Sequence, residues 1–467
     1  MKEKIVLVLD CGATNIRTIA VSQKGDLLES SCVPNNTTPD PDYPQYLIWD
    51  INEIWNKFCQ TTKQVLSKID KNLIAGVTVT TFGVDGAPVS ESGKLLYPVI
   101  SWACQRTAPI MENIGKYIPL KKLYEINGLN NFSFNTINKI IWLNENHPDI
   151  LNKSKYFVFI SSLLLHFLSG EYITDHSMAG TSMLTDIKTQ DFSDEILQPI
   201  KFDRSKFPPI VKAGEVIGKI TDEASQITDI PIGTPVIATG HDTQFAIFGS
   251  GADTNEPVLS SGTWEILMAR TKSVKTDEST LKKEVTTEFD AIPGLYNMGI
   301  QWLGSGVLEW IKQQFYQQEL SMCDDNQIYD IIIEEAKKIQ STDIKLSVDF
   351  LNNKGVISGL GLSTKREEIY LAALYSLANK TKESLDILEK TGNFKSKSLI
   401  CVGGGSKNML WNQIRANKLG IPIKLIGRKE TTVLGAALFA LVGADIYSSA
   451  EEARGNINYN VNIIYPK

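Results

Sequence analysis

Histidine is scarce in this chain, with four in 467 residues. The six cysteines (Cys11, Cys32, Cys59, Cys104, Cys323 and Cys401) stand far apart, with no metal-type pair spacing. That pattern excludes a zinc module and a disulfide framework, and it reads as reduced thiols in a cytoplasmic protein. No lysine or arginine stripe exists, and 47 basic against 53 acidic residues leave a formal charge of −6, so nucleic acid is not an expected partner. Long apolar runs are also missing. Residues 5–9 are too short for the core of an export signal. Residues 156–168, interrupted by Ser161, Ser162 and His166, fall short of the ~20 apolar residues of a membrane span and read instead as a buried helix that stops at Gly170. No membrane partner is expected. The G-x-G-x-x-G helix opening of dinucleotide enzymes is absent, as is any short-period repeat.

What is present is one local design used twice. Ile5-Val6-Leu7-Val8-Leu9 ends at Asp10 and turns through Cys11-Gly12-Ala13-Thr14-Asn15, and Pro257-Val258-Leu259 ends at Ser260-Ser261 and turns through Gly262-Thr263-Trp264. Small residues after a strand let backbone N–H groups approach an anion, since glycine carries no Cβ and tolerates positive φ. Two such turns imply a polyphosphate held in a cleft between two halves of similar build. A length of 467 residues agrees, because a single core stops growing at ~250–300 residues. The expected domains are 1–247 and 256–467, hinged near 247–256 and closing on ligands to exclude water.

The remaining pattern is α/β. Helical spacing covers 51–69, and β-branched strands cover 73–80 and 236–239, the latter ending at Gly240-His241-Asp242. Ile328, Ile331, Ile332, Ala336 and Ile339 share one helix face. Thr364 and Glu367 read as a capping box for a helix ending near Gly392. A strand at 399–402 leads into Gly403-Gly404-Gly405-Ser406 and a helix over 407–420, and Glu430 opens another helix. The charged stretch 271–284 reads as a solvated loop.

Phosphoryl transfer needs phosphate positioning, a divalent cation and a carboxylate that takes a proton from the attacking hydroxyl. Asp10 suits the metal side, since magnesium prefers oxygen ligands, and a turn-capping aspartate is the alternative. Thr14 and Asn15 offer donors to a terminal phosphate, while Arg17 reads equally as a nearby positive charge or a sheet-face residue. Asp242, at a strand end that becomes a helix, reads as a general base or as the N-cap of a helix from Thr243. His241 reads as a sugar-hydroxyl partner or a packed histidine. Gly403, Gly404 and Gly405 permit a flat ligand against backbone, or close helix–strand packing.

Together these motifs resemble the FGGY carbohydrate kinases. Leu9-Asp10-Cys11-Gly12-Ala13-Thr14-Asn15 is similar to the family's first phosphate motif, and Ser260-Ser261-Gly262-Thr263 to the second. Val402-Gly403-Gly404-Gly405-Ser406-Lys407-Asn408 is similar to its adenosine motif, and Gly240-His241-Asp242 to its catalytic-base motif. The resemblance runs nearly the whole chain and is narrowest at Gly83-Val84-Asp85-Gly86 and Ser260-Ser261-Gly262-Thr263-Trp264-Glu265, which point to the branch acting on L-fuculose. It implies two duplicated actin-like ATPase (ribonuclease H-like) domains with a cleft between them. It also implies ATP and Mg2+ as cofactors, and phosphorylation of a ketose, L-fuculose at its carbon-1 hydroxyl. L-rhamnulose or D-ribulose is the enzymatic alternative, and a non-catalytic actin-like nucleotide-binding regulator the other. Carried over by position, the resemblance makes Asp242 the base and Asp10 the metal-side carboxylate. It sets Gly12, Thr14, Asn15, Gly262 and Thr263 on phosphate, and Gly404 and Asn408 by the adenosine. Val84, Asp85, Phe134, His241 and Asp242 would contact sugar, with Phe82, Phe134 or Trp102 available to cover a methyl group. Where many relatives carry a glutamine near the nucleotide this chain has Glu309, to which no contact is assigned.

Overall fold

The computed structural model describes residues 3–347, 349–350, 354–428 and 430–467. The chain divides into two compact units. The first holds Met1–Gly251, Lys275–Asn297 and Glu430–Asn458, and the second holds Ala252–Val274, Met298–Lys429 and Tyr459–Lys467. The chain therefore leaves the first unit at the small-residue stretch that sequence reading took as a hinge, then returns to it twice.

In the first unit, β1 (Ile5–Cys11) and β2 (Asn15–Ser22) form an antiparallel hairpin, and β3 (Leu27–Pro34) pairs antiparallel with β2. On the other side β1 pairs parallel with β4 (Ile74–Thr81). Further out lie β5 (Val216–Lys219) and β6 (Pro235–Ile237), giving the order β3-β2-β1-β4-β6-β5. β6 is parallel to β4, and β5 antiparallel to β6. Every residue of β1 is buried, as expected of a central strand covered on both faces, and β3 alternates towards solvent as the edge. The helix Ile51–Leu66 packs on β2 and β3 through Ile54, Phe58 and Val65. Its N-cap Asp50 accepts from the Asn52 and Glu53 amides.

The second unit repeats this plan with β7 (Pro257–Ser261), β8 (Trp264–Thr271), β9 (Tyr296–Leu303, entering the unit at Met298), β10 (Leu399–Val402), β11 (Ile423–Ile426) and β12 (Val461–Ile464). Their order is β9-β8-β7-β10-β11-β12, six of the seven strands of this sheet, with the strand Thr286–Phe289 beyond β9 as the seventh. The β7/β8 hairpin is antiparallel, β7/β10 and β10/β11 are parallel, and β11/β12 is antiparallel, matching the first unit pair for pair. The duplication read from two turns extends to the strand order and to these four pairings.

Three local expectations are corrected. Residues 156–168 are not one helix: Tyr156–Phe159 is a strand paired antiparallel with Gly86–Val89, and the helix is Ile160–Ser169, closed by left-handed Gly170. A short apolar run such as Tyr156–Phe159 carries no period by which to tell strand from helix. The long helix is Arg366–Gly392, and its capping pair is Lys365 and Glu368, one residue later than read. Thr364 Oγ1 instead accepts from the Gly361 amide. Residues 271–284 are not a free loop. After β8 they form the helix Glu278–Leu281, with Asp277 capping, and belong to the first unit from Lys275. Thr276 Oγ1 donates to Glu125 O at 3.0 Å and Tyr124 Oη donates to Val285 O at 2.7 Å. The charges face outward while Thr280 and Val285 are buried, an arrangement that composition alone does not show.

The helix Thr431–Gly443 lies on the helix Asp242–Gly249 so closely that a Cβ at Gly435 would stand 1.9 Å from Phe245 O, and one at Gly249 2.0 Å from Thr431 O. Only glycine permits that approach.

Candidate active site

The C-terminal ends of β1, β4 and β6 lie side by side, the place where open α/β sheets present ligand-binding loops. Asp10 pairs with Thr80 across the β1/β4 ladder, and Thr81 bridges to His241. The Thr81 amide and Thr80 Oγ1 both donate to Gly240 O, at 2.9 and 3.0 Å. Asp10, Val84, Asp85, His241 and Asp242, distant in sequence, thus meet in one unit.

Asp10 is 5% exposed, and its carboxylate accepts from Arg17 Nε at 2.9 Å and from Arg17 Nη2. Arg17 Nη1 donates to Glu430 Oε2 at 2.7 Å, so one guanidinium ties two carboxylates. Burial raises the Asp10 pKa to about 6 despite Arg17, and the charges of Asp242 and Glu430 add to the rise. The structure decides what sequence left open for Arg17: it faces Asp10.

Asp242 begins the helix Asp242–Gly249, with His241 at the N-cap position. Its Oδ1 accepts from the adjacent Thr243 amide at 2.6 Å, so Asp242 is the first residue of the helix and not the N-cap residue before it. The side chain is 30% exposed, recessed but reachable. Burial of its other sides raises its pKa, opposed by His241 and aided by Glu288. His241 Nε2 lies 3.5 Å from Asp242 Oδ1, and its backbone N–H donates to Ser177 Oγ at 2.9 Å. Ser177 is in turn held by Asp175, the cap of the helix His176–Thr181. Gly83 lies against the imidazole, where a Cβ would come within 2.8 Å of Nε2.

Asp85 is wholly buried. Its Oδ1 accepts from Lys139 Nζ, and its Oδ2 accepts from Trp49 Nε1 at 2.7 Å and Trp102 N at 3.0 Å. The carboxylate read as a sugar contact is therefore occupied by protein donors. Val84 adopts φ 65°, and its carbonyl accepts from Thr136 Oγ1 at 2.8 Å and Lys139 Nζ at 3.1 Å. That contact brings the helix Thr136–Asn146 and the preceding Phe134, stacked on Phe132 at 5.0 Å, alongside this loop. Of the three aromatics considered for a methyl group, Trp102 is 39% exposed while Phe82 is buried and stacked on Trp49.

The turns differ from expectation in how their glycines serve. Gly12 and Gly262 have no left-handed φ, and their amides donate within their own hairpins, to Asn15 O and Trp264 O. The exposed parts of these turns are Thr14, Asn15, Thr263 and Trp264. In the second unit, left-handed Gly403 passes so near β7 that a Cβ would lie 2.6 Å from Ser261 O. A Cβ at Gly404 would meet nothing within 4 Å. Asn408 Oδ1 accepts from Trp411 N at 3.0 Å, capping the helix Met409–Leu419, and its Nδ2 donates to Tyr370 Oη at 3.1 Å. Glu309 accepts from Tyr329 Oη and pairs with Lys312 on its own helix.

Residues 5–249 match the N-terminal domain, and residues 351–444 the C-terminal domain, of the FGGY family of carbohydrate kinases. The chain belongs to this family. It is 46% identical over 471 residues to an L-fuculokinase of Escherichia coli strain K12, covering 100% of this chain and 98% of the relative. An L-fuculokinase of Haemophilus influenzae is 45% identical over 473 residues, covering 99% of each. A solved xylulose kinase from Rhodospirillum rubrum shares the fold, with a TM-score of 0.88 at 18% identity over 99% of this chain and 94% of that one.

Three residues of this kinase escaped the sequence reading: Glu430, Lys139 and Glu288. Glu430 lies 413 positions from Arg17, and Lys139 lies 54 from Asp85. No local signal marks either pairing. Sequence did mark Glu430 as a helix opening, without its partner. The raised Asp10 pKa has a measurable consequence. The native state binds this proton more tightly than the unfolded chain does, so Asp10 costs stability progressively as pH rises from 3.8 to about 6, and fully above that. In the ligand-free kinase Asp10→Asn should therefore melt higher than the parent at pH 8, by up to about 3 kcal/mol, with the gap closing towards pH 4. Thermal melts across that range check it, and a pH-independent difference contradicts it.

Proposed function

We propose that the chain transfers the terminal phosphoryl group of ATP to the carbon-1 hydroxyl of L-fuculose, giving L-fuculose 1-phosphate. The observation that carries the reading is the recessed Asp242 carboxylate, reachable at the C-terminal end of β6 and flanked by His241, in a chain nearly half identical to L-fuculokinases over its full length. Asp242 accepts the proton as the sugar oxygen bonds to the γ-phosphorus and the bond to the β–γ bridging oxygen breaks, releasing ADP. Its raised pKa brings it nearer to neutral pH, where a base is most effective. His241 and Val84 position the sugar, with Phe134 and Asp85 on the same side.

On the phosphate side, Gly12, Thr14 and Asn15 belong to the first unit's turn and Gly262 and Thr263 to the second's, with Gly404 and Asn408 by the adenosine. In this reading residues 1–247 serve sugar and phosphate, and 256–467 the nucleotide. Mg2+ fits the donor set at Asp10, since a cation there favours ionisation of a carboxylate that burial holds near pKa 6. When bound it neutralises phosphate charge. A cytoplasmic location goes with this reading, supported by six free cysteines. Among the described residues, no helix is long and apolar enough to cross a membrane.

Comparing kcat/KM for L-fuculose, L-rhamnulose and D-ribulose tests the substrate. A pocket shaped for one deoxy sugar should favour L-fuculose by about 10–200-fold where only a methyl differs, and by more where a hydroxyl is misplaced. A higher value for either other ketose removes the L-fuculose reading.

A further inference from the structure

We propose that Glu288 is a positioning residue for this site, fixing the His241 imidazole against Asp242 from the opposite edge of the ring. The proposal rests on the reading of Asp242 as the base. Glu288 lies on the strand Thr286–Phe289, in the segment that returns to the first unit after β8. Its Oε1 accepts from Thr181 Oγ1 at 2.7 Å, and its Oε2 accepts from Gln244 Nε2. The same Oε2 stands 4.0 Å from His241 Nδ1, while His241 Nε2 stands 3.5 Å from Asp242 Oδ1. The ring thus has a carboxylate beside each nitrogen, Glu288 reaching Nδ1 through Gln244, whose Nε2 stands 3.5 Å from it, and a Cβ at Gly83 would press on the imidazole. Gln244 is fixed in turn, because Asn297 Nδ2 donates to its Oε1. Its amide therefore cannot flip without losing a partner on each side.

No lysine or arginine among the described residues pairs with Glu288, although its side chain is only 14% exposed. Removing a carboxylate from water without a cation beside it costs free energy, which hydrogen bonds to it offset. Here it holds Gln244 and faces the histidine. The groups facing Asp242 are His241 on its own element, Glu288 on the returning strand and Asp10 on β1. Asp10 and Glu288 are both like charges, and Glu288 helps keep the Asp242 proton affinity high.

Glu288→Gln separates this role from packing. A glutamine can still accept from Gln244 and donate to Thr181 Oγ1, so the variant should melt within a few degrees of the parent. It should lose up to about 10²-fold in kcat/KM for the sugar with KM for ATP unchanged, since a misplacement of about 1 Å can cost that much. The acid limb of its kcat/KM profile should move to lower pH as Asp242 loses a like-charged neighbour, and Glu288→Asp should recover part of both effects. Unchanged sugar kinetics, or a loss without a shifted limb and without recovery by aspartate, overturns the positioning role. Asp242→Asn, run alongside, separates the two readings: an active Asp242 variant sinks the base assignment, whereas an inactive one beside a normal Glu288→Gln sinks only this inference.

Discussion

Asp242→Asn is expected to lower kcat by about 10²–10⁴-fold, the usual range for removing a positioned general base. The isosteric amide keeps the acceptor towards the Thr243 amide, so the helix Asp242–Gly249 should stay in place. What disappears is the ability to take a proton from the sugar hydroxyl. KM for ATP should hardly change, because the turns assigned to phosphate and adenosine lie on other strands. Coupled measurement of ADP release with and without sugar, together with nucleotide titration, gives both readouts. Turnover within tenfold of the parent removes Asp242 from the mechanism.

Lys139→Met is expected to cost about 3–5 kcal/mol of folding stability, because breaking a buried ion pair strands the remaining charge. Lys139 and Asp85 are 1% and 0% exposed. Burial lowers the Lys139 pKa and raises that of Asp85, each opposed by the partner charge. Methionine fills the space but leaves the Asp85 carboxylate with only the Trp49 and Trp102 donors. For a domain stable by ~5–15 kcal/mol this is a large share. Asp85→Asn added to Lys139→Met should restore much of the loss, since a neutral amide in that pocket no longer needs a cation. Thermal midpoints of the parent and the two variants decide it. A Lys139→Met midpoint equal to the parent's shows that the pair contributes nothing to stability.

Much of this architecture is legible because its signals are local. A buried parallel strand reads as an unbroken apolar run, and the residue at which it stops is visible as Asp10, Ser261 or the Gly240-His241-Asp242 turn. The helices Ile51–Leu66 and Arg366–Gly392 are amphipathic over several turns, so their existence is plain and only their ends shift. Gly83 is intelligible only afterwards, when the imidazole is seen against it. Asn408 looks like a ligand residue in sequence and caps a helix in the fold. Residues 271–284 mislead because charge on one side of a docked segment looks the same as charge all round.

By itself the sequence determined the duplicated strand–turn plan, the strand-end carboxylates Asp10 and Asp242, and the membership these motifs announce. All depend on residues within a few positions of one another. Only the tertiary structure decided the partners: Glu430 on Arg17, Lys139 on Asp85 and Glu288 across His241 from Asp242. The physical reason is that burial and charge pairing are properties of three-dimensional proximity. A carboxylate's neighbours, and so its proton affinity, are set by which distant segments the fold returns to the sheet.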